Sequence, residues 1–183
     1  MIITKGGHMT KHATAIARKG PSTPMLDVYA SGVLAGPVLD FGCGVGADVA
    51  WLREEGIKAE GYDPNTTEFK KFPRRKFKTV LCTYVLNVVQ APKEVLVAAW
   101  ERVAVGGCLF VTCRSDTDVN YAARKGGWLA IGKGWVNSRG SYQKGYTEKE
   151  LVKLCTALPS HSLAVYATKV HGNPMVVVRK VRL

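Results

Sequence analysis

Val38-Leu-Asp-Phe-Gly-Cys-Gly-Val-Gly46 begins as a short apolar run and ends on three glycines at alternate positions. The run reads as a buried strand and the glycines as a tight turn into a helix. Residues without a Cβ can take φ > 0 and let the backbone approach a ligand closely. Such a turn serves nucleotide and phosphate sites as well as others. Two details narrow the choice. The spacing is G-x-G-x-G rather than the G-x-G-x-x-G of dinucleotide sites, and Asp40 stands two residues ahead of the first glycine. An acid there repels a pyrophosphate and welcomes an ammonium group. A second acid, Asp63, ends the next strand-like stretch, where a ribose-binding carboxylate is expected.

Outward from this turn the chain alternates. Helical spacing covers residues 23–34 and is broken by Gly36-Pro37, before a strand over 37–41. A helix over 48–55 stops at Gly56, as a C-terminal glycine dictates. Strands follow at 58–62 and at 79–84, the latter continuing through Val89. Pro92 suits the first turn of a helix to about Ala104, and Gly106-Gly107 turns the chain into a strand over 108–113. This order predicts an α/β fold with a mostly parallel sheet covered on both faces. Thr147-Glu-Lys-Glu150 is a capping box opening a helix through Leu158. Strands over 162–168 and 175–181 lie too close together for a parallel crossover, so a C-terminal antiparallel hairpin is expected. Residues 1–22 read as an N-terminal extension, and residues 23–183 as one domain carrying a basic and aromatic loop at 115–146.

With 183 residues, 46% of them hydrophobic, the chain can bury a sizeable core. No apolar run has the length of a membrane span, so no membrane partner is expected. Five cysteines without metal-type pairing and four scattered histidines point to a reducing, cytoplasmic protein with no metal. Lys and Arg total 26 against 14 Asp and Glu, a formal charge of +12 that favours an acidic partner.

The acid, glycine turn and second acid together resemble the class I S-adenosylmethionine-dependent methyltransferases, from about Thr23 to the end of the chain. The resemblance implies a Rossmann-like sheet and S-adenosyl-L-methionine as cofactor. It assigns Asp40 to the methionine amino group and Asp63 to the ribose hydroxyls. Gly42, Cys43, Gly44, Gly46, Asp48, Pro64, Thr83 and Tyr84 complete the implied cofactor site. One departure stands out: only fifteen residues, 64–78, separate Asp63 from Thr79. That is too few for helix, strand and helix, so the third strand of the fold and its adenine-contacting acid are expected to be reduced or absent. A closer likeness is to DNA phosphorothioation-associated methyltransferases and related phage and prokaryotic proteins. It rests on Lys11-His-Ala-Thr-Ala-Ile-Ala-Arg18, Ser22-Thr-Pro24, Leu39 to Asp48, Gly61-Tyr-Asp-Pro64 and Tyr84-Val-Leu-Asn-Val88, all in the N-terminal half.

Methyl transfer from a sulfonium is a direct displacement, so the protein mainly aligns the acceptor, and any proton acceptor need not be strong. After residues 79–83 the chain reads Tyr84-Val-Leu-Asn87, without the Asp/Asn-Pro-Pro-aromatic signature of many amino-group enzymes, and no Pro-Cys nucleophile occurs. Tyr84 and Asn87 are therefore the candidates for orienting an acceptor. Equally, Tyr84 packs on the cofactor and Asn87 caps the next helix. Of two basic stretches, residues 70–78 feed the start of a strand, opposite the ligand edge. Residues 121–146 leave from that edge and interleave Arg124, Lys125, Lys133, Arg139 and Lys144 with Tyr121, Trp128, Trp135, Tyr142 and Tyr146. No acid occurs between Asp118 and Glu148. Cations for phosphates and aromatics for bases suit a nucleic acid, DNA or RNA. Arg18, Arg114, Tyr121, Lys125, Trp128, Lys133, Trp135 and Arg139 are the expected substrate contacts. The alternatives are an irregular lid over a small substrate, a protein acceptor, or a cofactor-binding protein that transfers no methyl group.

Overall fold

The computed structural model describes residues 18–159 and 162–181. Its elements run α1 (Thr23–Ala30), β1 (Val38–Phe41), α2 (Ala47–Glu54), β2 (Ala59–Tyr62), β3 (Phe77–Thr83), α3 (Pro92–Glu101) and β4 (Val103–Thr112). There follow α4 (Asp116–Gly126), β5 (Leu129–Ile131), β6 (Gly134–Val136), β7 (Tyr142–Gln143), α5 (Glu148–Thr156), β8 (Ser162–Val170) and β9 (Asn173–Lys180).

Six strands form one sheet in the order β2-β1-β3-β4-β9-β8. β1 to β4 are parallel, and β9 runs antiparallel to both β4 and β8. The expected terminal hairpin is present. Only His171 and Gly172 join its strands, at φ 48° and 79°, and two-residue hairpins match the sheet's twist at such positive angles. Strand residues alternate between two cores. Val38, Leu81 and Phe110 meet Met25 and Val28 of α1 and Val49 and Leu52 of α2, while Leu39, Val80 and Leu109 meet Leu96 and Trp100 of α3 and Leu151 of α5.

Neither helix nor strand forms between β2 and β3, so β2 is a sheet edge and the third strand is absent as expected. An aromatic cluster occupies this end of the fold. Phe72 packs edge-on against Tyr62 at 4.8 Å and against Phe41 at 6.2 Å between ring centroids, with the Arg102 guanidinium 4.9 Å from its own ring.

Four expectations need correction. The strand beginning near Thr79 does not continue through Val89, because Tyr84 takes φ 59° and turns the chain. Gly106-Gly107 lies inside β4 rather than before it, where the pairing with β3 jumps from Phe77↔Val103 to Thr79↔Cys108. The first helix ends at Ala30, four residues early. Residues 115–146 are not a loop. Ser115 caps α4 by accepting a hydrogen bond from the Asp118 amide at 3.1 Å, Gly127 closes the helix at φ 59°, and β5-β6-β7 make a separate antiparallel sheet.

Candidate active site

A cavity of about 690 Å³ opens at the carboxyl ends of β1, β2 and β3. The glycine turn forms its floor. Gly42 and Gly46 take φ 84° and 81°, and a Cβ on either would collide with Val85 or Phe69 respectively. Gly44 also has positive φ, 58°, and donates its amide to Asp63 Oδ2 at 3.0 Å. The other oxygen of Asp63 accepts from the Asn65 amide at 2.8 Å. Asp63 is thus held at the rim, bound to the turn it was expected to serve.

Asp40 is 3% exposed, lines the cavity and has no hydrogen-bond partner among the described residues. Burial raises its pKa from 3.8 to about 8, helped by repulsion from Asp48 and Asp63 and opposed by Arg18. An unpartnered carboxyl group costs free energy here, and a cationic ligand is what relieves it. Asp48, in the first turn of α2, is equally buried but fully engaged. Its oxygens accept from the Ser22 amide at 2.6 Å, the Ser22 hydroxyl at 2.8 Å and Arg18 Nη2 at 3.1 Å.

Tyr84 borders the cavity just beyond Thr83. A non-glycine residue at φ 59° stores strain, which is found at ligand sites. Its hydroxyl oxygen accepts from Asn173 Nδ2 at 3.4 Å, and Asn173 Oδ1 accepts from the Ser115 amide at 3.0 Å. Burial raises the phenol pKa, and the Asn173 hydrogen bond opposes the shift.

Asp40, Gly42, Cys43, Gly44, Asp48, Asp63, Pro64, Thr83 and Tyr84 therefore all line one cavity. Gly46 sits behind it, at the N-cap of α2. The Cys43 thiol packs against Gly61, and burial holds its proton on.

The expected acceptor residues fare differently. Asn87 is 1% exposed and lies outside the cavity lining. Its amide donates to the carbonyls of Lys144 at 2.6 Å and Arg114 at 3.3 Å, and its oxygen accepts from the Arg114 amide at 2.9 Å. It is a clamp between backbone segments rather than an acceptor-orienting group, and the N-cap of α3 is Ala91 instead. Arg114 is also committed, with Nε donating to Asp118 at 2.8 Å and Nη1 to Gln143 at 3.4 Å.

Lys125, Lys133, Arg139 and Tyr121 are exposed, on α4 and around the small sheet. The other aromatics of this segment turn inward. Trp135 Nε1 donates to Asn120 at 3.0 Å, Trp128 lies against Gly126, and Tyr142 lies across Gly134. Tyr146 is 1% exposed and donates its hydroxyl to the Leu86 carbonyl at 3.2 Å. None of these residues lines the cavity. Arg18, expected at the substrate, lines it beside Asp48.

Sequence reasoning missed three parts of the site. Pro21 to Pro24 form one wall, signalled only by a serine cap followed by a helix-opening proline. Phe72 reaches the cavity from the basic stretch 70–78, although that stretch leads to the far end of β3. Val85, Val89, Val95 and Ala98 supply an apolar wall from the turn after β3 and from α3, with no motif to announce it.

Among the described residues no helix is long and apolar enough to cross a membrane. None of the curated proteins matches the sequence. Solved structures do match in fold. The Burkholderia thailandensis 1,6-didemethyltoxoflavin-N1-methyltransferase, with bound 1,6-didemethyltoxoflavin and S-adenosylhomocysteine, superposes with a TM-score of 0.58 at 16% identity, over 86% of this chain and 76% of that one. Magnesium protoporphyrin IX methyltransferase from Synechocystis PCC 6803, with bound SAH, gives 0.58 at 19% identity over 86% and 81%. A plantazolicin methyltransferase in complex with SAH gives 0.60 at 11% identity over 88% and 83%. The sequence pattern described as "Methyltransferase domain" matches residues 7–157, and with the glycine turn and its two acids in place the chain belongs to this methyltransferase family.

Proposed function

We propose that this enzyme uses S-adenosyl-L-methionine as methyl donor and a nucleic acid, DNA or RNA, as acceptor. The observation that carries the cofactor assignment is the pair Asp40 and Asp63 on either side of the glycine turn in one cavity. Asp40, buried and without a hydrogen-bond partner among the described residues, suits the ammonium group. Asp63, at the end of β2, suits the ribose hydroxyls. Glycine at 42 and 44 lets the backbone come close to the ligand. The bound cofactor supplies a methyl group already activated as a sulfonium. The chain's task is to hold the acceptor in line and exclude water, an orientation effect of several kcal/mol. Tyr84, strained and facing the cavity, is the residue we assign to aligning the acceptor. All five cysteines are unpaired, which suits a reducing compartment such as the cytoplasm.

The nucleic-acid assignment is supported by the charge of +12 and by α4 with its small sheet, which leaves from the end of β4. It presents Arg124, Lys125, Lys133 and Arg139 to solvent. The closer likeness to DNA phosphorothioation-associated proteins, carried by the N-terminal half, also supports it; most of that likeness's first motif, Lys11 to Ala17, lies outside the described residues.

A second reading, a small-molecule acceptor, is favoured by the inward turn of Trp135, Tyr142 and Tyr146, which leaves fewer rings for stacking bases. The names of the solved neighbours, among them 1,6-didemethyltoxoflavin and magnesium protoporphyrin IX methyltransferases, point the same way. Labelled methyl transfer to DNA, RNA and a low-molecular-weight cell fraction, run side by side, separates the two. Label in a polynucleotide, falling as salt rises, supports the first reading. Label confined to the small-molecule fraction supports the second.

A further inference from the structure

We infer that Arg18 to Pro24 form a strap over the amino-acid end of the cofactor, and that Arg18 selects a cofactor that carries its carboxylate. The inference rests on the S-adenosyl-L-methionine reading. It starts from an imbalance of charge. Among the described residues the cavity is lined by four acids, Asp40, Asp48, Asp63 and Glu94, and by a single Lys or Arg, Arg18. At neutral pH the cofactor carries a sulfonium, an ammonium and a carboxylate. The acids suit the two cationic centres. The carboxylate, brought beside them, is repelled unless a fixed cation receives it, and among the described lining residues Arg18 is the side chain that can.

The geometry prepares Arg18 for that role. Its Nη2 donates to Asp48 Oδ2 at 3.1 Å, while its side chain remains 33% exposed. A guanidinium has five N–H donors in a planar fork, so one edge can stay on Asp48 while another meets a ligand carboxylate. Asp48 is in turn immobilised. The Ser22 amide and hydroxyl occupy it at 2.6 and 2.8 Å, and Ser22 also caps α1 through the Met25 amide at 3.3 Å. The buried acid at the start of α2 thus ties the strap to the sheet and aims the cation. Asp48 is a positioning residue, and Arg18 is the group that touches the ligand. The arrangement accounts for why Asp48 is fully hydrogen-bonded while Asp40, equally buried, has no hydrogen-bond partner among the described residues.

The test compares two ligands that differ in this one group, S-adenosyl-L-methionine and its decarboxylated form. Dissociation constants are measured by calorimetry for the wild-type chain, Arg18→Ala, Arg18→Lys and Asp48→Asn. The wild type should prefer the carboxylated cofactor. Arg18→Ala should weaken it by roughly ten- to a hundredfold, the range for a charge-assisted hydrogen bond, and leave the decarboxylated form within about twofold. Arg18→Lys should recover part of the loss, because it restores charge without the fork. Asp48→Asn should weaken the carboxylated ligand more than the other, because the cation loses its anchor. Binding of the decarboxylated form also shows that each variant is folded at the site. If Arg18→Ala weakens both ligands equally, or leaves their ratio unchanged, the inference is overturned while the cofactor reading stands. That outcome would mean Arg18 only supports the wall, or the N-terminus of α2 holds the carboxylate. If the wild type binds neither ligand, the cofactor reading itself fails, and the inference with it.

Discussion

Asp40 concentrates the conflict between stability and function in one side chain. Its folded pKa is about 8 against 3.8 for a free carboxyl, so it contributes stability that is complete below about pH 4 and is lost as pH rises toward 8. Over that window the unfolded chain gives up the proton and the folded chain keeps it. Asp40→Asn should therefore stabilise the fold at pH 8 by on the order of 2 kcal/mol or more, and by much less at pH 4, read as a higher melting temperature. The same variant should bind S-adenosyl-L-methionine poorly, since an amide offers the ammonium no charge. For the wild type, cofactor binding should expel a proton below pH 8 and tighten as pH rises toward that value. Calorimetry in buffers of different ionisation enthalpy reads this directly; no proton release at pH 7 would contradict it. Asp63→Ala should cost about 1.5–3 kcal/mol of cofactor binding, the worth of a hydrogen bond to a charged group. Unchanged affinity in a folded variant would remove Asp63 from the site.

Among the elements, the unit of β1, glycine turn and α2 was legible because its causes are local. An apolar run, glycines at positive φ and an acid in the next helical turn are neighbours in the chain. Gly42→Ala tests the unit. The added methyl meets Val85 at φ 84°, so the turn must move, and both stability and cofactor affinity should fall. Normal cofactor binding by this variant would show that the turn only connects two elements. The segment over 115–146 was not legible as helix and sheet. Its strands are two or three residues long, and they hold through contacts remote in sequence, such as Lys144 N donating to the Asn87 carbonyl at 2.7 Å. The same distance in sequence hid the role of Asn87. Asn87→Ala removes three side-chain hydrogen bonds and leaves buried backbone groups unpaired, at a cost of roughly 2–4 kcal/mol of stability. Chemical denaturation measures that cost. The folded fraction should keep its cofactor affinity, because the side chain does not reach the cavity.

For the whole molecule, charge is the property that bears on the acceptor. The excess of 12 positive charges is no help to a cationic cofactor, and its exposed share on α4 and the small sheet faces solvent. If a nucleic acid docks there, replacing Lys125, Lys133 and Arg139 together by alanine should reduce the slope of log affinity against log salt by about 2–3, near one unit per lost phosphate contact. Cofactor affinity should not change. In the stretch 70–78, Arg75 already pairs with Glu60 and Lys76 with the Glu101 carbonyl, so alanine at both should change the slope less. Equal slopes for the parent and the triple variant would rule out this face as the docking surface.

Glycine spacing, the two acids, the capping box and the short hairpin link determined the fold, and with it much of the lining of the cavity, from sequence alone. Each is a constraint between near neighbours, or a length too short to allow an alternative. The missing third strand was legible for the same reason, since fifteen residues cannot supply helix, strand and helix. Only the tertiary structure decided that Arg18 lines the cavity, that Asn87 clamps backbone, and that Trp135 and Tyr146 turn inward. Those outcomes depend on which buried groups meet across the folded chain. A side chain's type sets what it can bind, but its burial and its partners are set by residues far away in sequence.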